Sequence, residues 1–259
     1  MKKTVAIVNQ KGGVGKTTTA INLASSLALA GEKILLIDID PQGNSTSGLG
    51  ITRSELALSL YEALAGSCSL SDAAVETVIE NLFLVPSSID LLGAEIELVD
   101  RQQREHVLAA TIAACRDDYR FIIIDCPPSL GLLTLNALVA AESVIVPVQC
   151  EYYALEGLSM LLRTISLIQG SFNPGLDIEG ILLTMFDPRN NLSHQVANNL
   201  REHFGDKVYE TIIPRNVALG EAPSHGKPVI LYDIKSRGAQ SYLALAKEIL
   251  RESSVGQRA

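Results

Sequence analysis

Aromatic residues make up only 5% of the 259 positions, and tryptophan is absent. The 47% of hydrophobic residues are therefore mostly aliphatic, the composition of a parallel sheet covered on both faces. Long uncharged runs are missing too. The longest, Cys126 to Ala141, falls short of the ~18 residues a membrane helix needs and is interrupted by Pro127, Pro128 and Asn136. After Met1-Lys2-Lys3 the apolar run ends at Asn9, too soon for a secretory signal core. A cytoplasmic protein without a membrane segment is expected. The four cysteines are far apart and form no C-x-x-C pair, which argues against a disulfide scaffold and a metal cluster and predicts reduced, mostly buried thiols. The four histidines show no i, i+4 pairing, so no zinc site is expected. Basic excess is lacking as well: the formal charge is −8, which excludes a generally basic nucleic-acid surface. The distribution is uneven, however. Residues 186–259 hold 10 Lys/Arg against 8 Asp/Glu, whereas residues 1–185 hold 11 against 21. The C-terminal part is the only plausible place for a polyanion patch, unless its charges are scattered over a solvated face.

Repeats, low-complexity tracts and a long linker are absent, and apolar β-branched runs alternate with helical patterns. That is the pattern of a doubly wound α/β fold, a mostly parallel sheet flanked by helices, in one domain over residues 1–259. Strands are predicted at Thr4–Val8, Lys33–Ile37, Leu82–Val85, Phe121–Asp125, Ser143–Val148, Ile178–Met185 and Lys207–Ile212. Helices are predicted from Lys16 to about Ala30, closed by Gly31, and over Arg104–Cys115, Glu156–Gln169, Ser193–His203 and Gly238–Arg251. In the last, Tyr242, Leu245, Ala246 and Ile249 share one face.

Between the first strand and the first helix lies Lys11-Gly12-Gly13-Val14-Gly15-Lys16-Thr17-Thr18. Glycines at such a junction let several backbone N–H groups converge on phosphate oxygens without Cβ atoms in the way. The helix N-terminus adds partial positive charge. Lys16 supplies a point charge for the β- and γ-phosphates, and the Thr17 hydroxyl is placed for Mg²⁺. The loop departs from G-x-x-x-x-G-K-[ST] in having Gln10 where glycine is usual, and it carries the additional Lys11. ATP and Mg²⁺ are the expected cofactors, ATP hydrolysis the expected reaction.

Two acidic strand ends complete the pattern. Phe121-Ile122-Ile123-Ile124-Asp125 ends a buried strand on a carboxylate, which is costly unless a cation or donors meet it; Mg²⁺ would. Ile34-Leu35-Leu36-Ile37-Asp38-Ile39-Asp40 ends on two acids. Asp38 either joins the site or caps a loop. Asp40, just beyond the strand, is the better candidate to orient or deprotonate the attacking water.

The Lys11–Thr18 loop, Asp38-Ile39-Asp40-Pro41-Gln42-Gly43-Asn44 and Ile122-Ile123-Ile124-Asp125-Cys126-Pro127-Pro128-Ser129 together resemble the deviant Walker-A ATPases, and among them the ParA/Soj partition ATPases. The similarity continues through Gln149–Gly157, Leu183–Arg189, Ile213–Asn216 and Glu221–Pro228, nearly the whole chain. With the first strand starting at residue 4, it looks like the short form without an N-terminal helix-turn-helix domain. The resemblance implies an ATP-dependent sandwich homodimer in which Lys11 reaches the partner's nucleotide and Gly12 permits close approach of the two loops. It makes Asp40 the hydrolytic acid and Asp125 the Mg²⁺-side carboxylate, and places Pro214 and Asn216 against the adenine. It further implies slow, partner-stimulated hydrolysis, non-specific binding of double-stranded DNA on the nucleoid, and a ParB-type centromere-binding partner. Arg189 matches one of the family's DNA-contacting positions; Lys227, Lys235 and Arg237 are further candidates. Related chains commonly carry a basic residue just after I-P-R-N-V, where this one has Ala218, which implies one fewer phosphate contact per subunit. The alternative on the same core is a MinD-like or other positioning ATPase. A MinD-like protein needs a basic amphipathic C-terminal helix with large apolar side chains, which residues 252–259 do not offer. An iron–sulfur carrier would need paired cysteines, which are also absent.

Overall fold

The computed structural model describes residues 2–52, 56–151 and 154–255. The described residues form seven strands: β1 (Lys3–Ile7), β2 (Ile34–Asp38), β3 (Val75–Glu76), β4 (Leu82–Val85), β5 (Phe121–Asp125), β6 (Ser143–Gln149) and β7 (Asp177–Thr184). They make one sheet in the order β3-β4-β2-β5-β1-β6-β7, in which the short edge strand β3 runs antiparallel to β4 and every other pairing is parallel.

Helices cover both faces. In chain order they are α1 (Lys16–Leu29), α2 (Asn44–Gly48), α3 (Leu60–Ala65), α4 (Leu70–Ala73), α5 (Leu91–Glu97), α6 (Val107–Ala113), α7 (Leu132–Ala140), α8 (Ala154–Ser171), α9 (Asn191–Phe204), α10 (Val217–Glu221), α11 (Val229–Tyr232) and α12 (Arg237–Val255).

The strands read as continuous apolar runs because both faces are buried, and the alternation of side chains splits them between two cores. Ala6, Leu35, Ile37, Ile122 and Ile124 join the core under α5–α9, whereas Val5, Ile7, Ile34, Leu36, Phe121 and Ile123 join the core under α1 and α12. The four α12 residues expected on one face, Tyr242, Leu245, Ala246 and Ile249, are all buried there. All four cysteines are free, and Cys115, Cys126 and Cys150 are buried.

Lys207–Ile212 does not form the expected strand. Lys207 ends a short 3-10 turn, and the segment's backbone pairing with β7 is confined to the isolated bridge of Ile181 with Val208, where the Tyr209 N–H donates to the Ile181 carbonyl at 3.1 Å. The reason is local: the N–H groups of Glu210 and Thr211 donate to the Glu248 carboxylate of α12, at 2.7 and 3.0 Å, and are unavailable for a continuous ladder. Strand β7 also stops at Thr184, because Met185 adopts a positive φ of 50°.

β1, β2 and β5 are neighbours at the centre of the sheet, and their carboxyl ends open at one edge. In an open parallel sheet this is where ligands bind.

Candidate functional site

The loop after β1 is shaped by its glycines. Gly13 (φ 74°) and Gly15 (φ 91°) lie in the left-handed region, which side chains with a Cβ disfavour. Gly15 is also the N-cap of α1, so no side chain caps that helix, and its first turn holds no acid. The opening N–H groups of α1 thus face the loop's concavity unpartnered by a cap, a ready anion site. Three contacts fix the loop: Asn9 donates to the Pro147 carbonyl (2.8 Å) and accepts from the Lys11 N–H (3.0 Å), and the Thr184 hydroxyl donates to the Val14 carbonyl (2.8 Å). Inside it, Lys16 donates to the Lys11 carbonyl at 3.0 Å. Lys16 is only 7% exposed, and burial lowers its pKa against the opposing pull of Asp125, Cys126 and Asp40.

Facing the loop are the acids of β2 and β5. Asp38 and Asp125 are register partners on adjacent strands, and both are fully buried. Burial raises both carboxyls, and the neighbouring Asp125 raises Asp38 further. The two are held differently. Asp38 has a full set of donors: one oxygen accepts from the Thr46 N–H (2.8 Å) and hydroxyl (2.7 Å), the other from the Asp40 N–H (3.3 Å). It anchors α2 and the Asp40 turn, the loop-capping alternative. Asp125 accepts from Ser45 through Oδ2 (2.7 Å), with the Thr17 hydroxyl beside it, but its buried Oδ1 has no hydrogen-bond partner among the described residues. A carboxylate oxygen left bare next to a threonine hydroxyl fits a Mg²⁺ site.

A cleft of about 270 Å³ brings together Gly12, Gly13, Gly15, Lys16, Thr17, Thr18 and Asp40. Sharing Gly15, Thr18 and Met185 with it, a second cavity of about 230 Å³ is lined by Thr184, Ile213, Pro214, Asn216, Leu219 and Tyr242. The two form one trough, cationic at one end and largely apolar at the other. Asn216 lines the apolar end, and its buried Oδ1 has no hydrogen-bond partner among the described residues. It is a free acceptor of the kind an adenine amino group would satisfy. Asn216 stands where it does because Gly238, opening α12, leaves it room: a Cβ there would lie 2.9 Å from Asn216 Oδ1 and 2.6 Å from Leu219 Cγ.

Two loop residues lie outside the trough. Val14 is buried (2% exposed) beneath it, and the Lys11 ammonium is turned away into an ion pair with Glu151. Arg189, Lys227, Lys235 and Arg237 are exposed, and Arg189 makes a two-point ion pair with Asp187, whose carboxyl it holds down at about 2. Ala218 is 9% exposed in α10. Sequence reasoning missed Asn44, Pro128 and Met185 as lining residues, and Ser45, Thr46 and Ser87 as the hydrogen-bond support of the acids. Asn44 and Pro128 stood inside recognised motifs. Nothing in the residue type of Met185 announces its place.

A protein-family model described as "AAA domain" matches residues 2–178. The sporulation initiation inhibitor protein Soj of Bacillus subtilis is 57% identical over 249 residues, covering 96% of this chain and 98% of that protein. The chromosome partitioning protein ParA of Caulobacter vibrioides is 54% identical over 250 residues, covering 96% and 94%. Among solved structures, the cobyrinic acid a,c-diamide synthase of Mycobacterium smegmatis with bound ATP analogue and magnesium superposes with a TM-score of 0.87 at 40% identity, covering 99% of this chain and 97% of that one.

Proposed function

The chain belongs to the Soj/ParA family of chromosome-partitioning P-loop ATPases, and from that premise we propose that it is a nucleotide-switched DNA clamp. In this proposal an ATP-bound homodimer holds the nucleoid without sequence preference, and hydrolysis, slow until a ParB-type partner stimulates it, lets go. One observation carries the nucleotide chemistry: the trough running from the uncapped start of α1 to the orphaned Asn216 carbonyl oxygen, with Asp40 and the bare Asp125 Oδ1 on its flank.

Each residue then has a physical task. The N–H groups opening α1 and the Lys16 ammonium bind the β- and γ-phosphates, which replace the Lys11 carbonyl as Lys16's partner. Thr17 and Asp125 would hold Mg²⁺, which neutralises the charge that develops on the phosphate oxygens when bound. Asp40 orients the attacking water and accepts its proton. Its turn is held rigid because Oδ1 accepts from the Gln42 N–H (2.9 Å) and its carbonyl accepts from the Ser87 hydroxyl. Pro214 and Asn216 seat the adenine.

Lys11 acts across the dimer. To do so it must leave Glu151, and that pair is 42% and 33% exposed on its two side chains. Exposed pairs contribute about 0–1 kcal/mol, so a partner's triphosphate outcompetes it easily. DNA contacts come from Arg189, Lys227, Lys235 and Arg237, and Arg189 must likewise exchange Asp187 for a phosphate.

The test is binding of Asp40→Ala protein to random-sequence DNA with ATP or ADP across a salt series. Binding with ATP alone, weakening steeply with salt, is the expected result. Absence of binding in both nucleotide states would remove the clamp while leaving the ATPase.

A further inference from the structure

Helix α5 is apolar on both sides. Leu91 and Ala94 of the helix and Leu98 of the 3-10 turn that follows face the core, while Ile89 just before the helix, Leu92 and Ile96 within it and Val99 in that turn form a ridge on the outside, at 55%, 50%, 75% and 52% exposure. The 3-4-3 spacing of the ridge is that of one helical face, and a run of exposed apolar side chains of this kind marks an interaction surface. Its flanks have one sign. Residues 89–100 contain Asp90, Glu95, Glu97 and Asp100 and no lysine or arginine. The two arginines that follow are tied to backbone: Arg101 donates to the Leu64 carbonyl, and Arg104 to the Val99 carbonyl and to Glu105. An apolar ridge between carboxylates complements a segment with an apolar stripe and basic flanks. A second copy of this chain is a poor match, since it would bring the same acids and a net charge of −8.

The ridge is also mechanically close to the site. Just before α5, Ser87 donates its N–H to the Thr46 hydroxyl and its own hydroxyl to the Asp40 carbonyl. From within α5, Glu95 accepts from the Leu133 N–H (3.5 Å) at the start of α7, directly after the Asp125–Ser129 segment. Load on α5 therefore bears on the backbone that presents both Asp40 and Asp125.

We propose that the outer face of α5 is the docking surface for a basic amphipathic segment of a partner protein, seated one loop away from Asp40. Its influence on hydrolysis rests on the ATPase reading above; the docking itself does not.

The probe is a short, dye-labelled helical peptide of leucine and lysine with leucine on one face, alongside its leucine–glutamate counterpart. Anisotropy is read for the wild type, Leu92→Ser/Ile96→Ser, and Val78→Ser, the last altering an exposed apolar residue elsewhere. The lysine peptide should bind the wild type and the Val78 variant alike, more weakly as salt rises, and the double variant at least ~tenfold more weakly. The glutamate peptide should not bind. A charge-reversed variant, Asp90→Lys/Asp100→Lys, leaves the ridge intact and should also weaken binding, so the proposal stays testable if the serine variant folds poorly. Equal affinity for wild type and both variants overturns it. So does loss of ATP-dependent dimers in the serine variant with peptide affinity unchanged, which would give the face to a second copy. ATP turnover is measured in the same samples: its absence sinks the ATPase reading, while the anisotropy still decides the docking.

Discussion

Lys16 and Lys11 lie five residues apart in one loop, and their surroundings differ sharply. Lys16 is buried, with its charge disfavoured by desolvation and answered by a carbonyl and by Asp125 and Asp40 at longer range. Phosphates supply what that ammonium lacks, so Lys16→Ala should lose nucleotide binding by about 100-fold or more, read by titration with a fluorescent ATP analogue. Lys11 is exposed and, among the described residues, forms its ion pair with Glu151. Lys11→Ala should bind ATP normally yet stay monomeric in light scattering; an ATP dimer of that variant would refute its cross-subunit role. The acid pair yields a pH prediction for metal-free protein. Asp38 and Asp125 have folded-state pKa values raised from 3.8 to about 8 and about 6. A carboxyl whose pKa is raised on folding stabilises at low pH and loses that contribution as pH rises through the folded value. Melting temperature without Mg²⁺ should therefore fall between about pH 4 and 8, and saturating Mg²⁺·ADP should flatten the slope by favouring ionised Asp125. A metal-free melting temperature that rises across that window would contradict the burial of both acids.

At the level of elements, two contacts made by α12 are sensitive to single changes. Glu248 accepts two backbone N–H groups at 7% exposure. Glu248→Gln turns one acceptor into a donor facing a donor, and should cost about 1–3 kcal/mol in thermal or urea unfolding. Gly238→Ala would press a methyl group on Asn216 and Leu219, displacing the base-end acceptor. Its expected signature is a several-fold loss of ATP affinity with reduced preference for ATP over GTP, at nearly unchanged stability. The sheet was legible in the sequence because its buried parallel strands are runs rich in Val, Ile and Leu, two of which, β2 and β5, end on acids. β3 was not: two residues cannot carry a pattern. Helix α7 escaped notice since it is buried almost all round and has no polar face to set a period. The capping boxes of α3 (Ser59 and Glu62) and α4 (Ser69 and Asp72) were readable signals left unread. The Lys207–Ile212 segment reads as a strand on propensity alone, which cannot see a glutamate 38 positions away taking its hydrogen bonds.

On the scale of the whole molecule, the proposed phosphate end of the site is legible as a contiguous motif, and the proposed base end is not. The first is built from Gly12, Gly13, Gly15, Lys16, Thr17 and Thr18 of one loop facing Asp40, with Asp125 beside Thr17, and these residue types state their chemistry. The second is assembled from Thr184, Met185, Ile213, Leu219 and Tyr242, ordinary residues gathered only by the fold around Pro214 and Asn216. A ligand bridging both ends should stabilise the fold as a unit: ATP at 100 times its Kd adds about 2.7 kcal/mol, visible as one cooperative shift of the melt. Resolved steps, with only one part of the chain shifting, would mean the two ends are not coupled.

The same trough has a bearing on how the protein is born. Its floor, the Gly12–Thr18 loop, leaves the ribosome well before Tyr242, whose hydroxyl meets Thr19 at 3.1 Å across a sequence separation of 223. Synthesis delivers only about 5–20 residues per second, so the nascent chain spends many seconds with half a binding site. A nucleotide that needs both halves cannot be gripped by a chain not yet extended past Tyr242, and whatever nucleotide binding switches on is thereby withheld from nascent chains that hold only the first half.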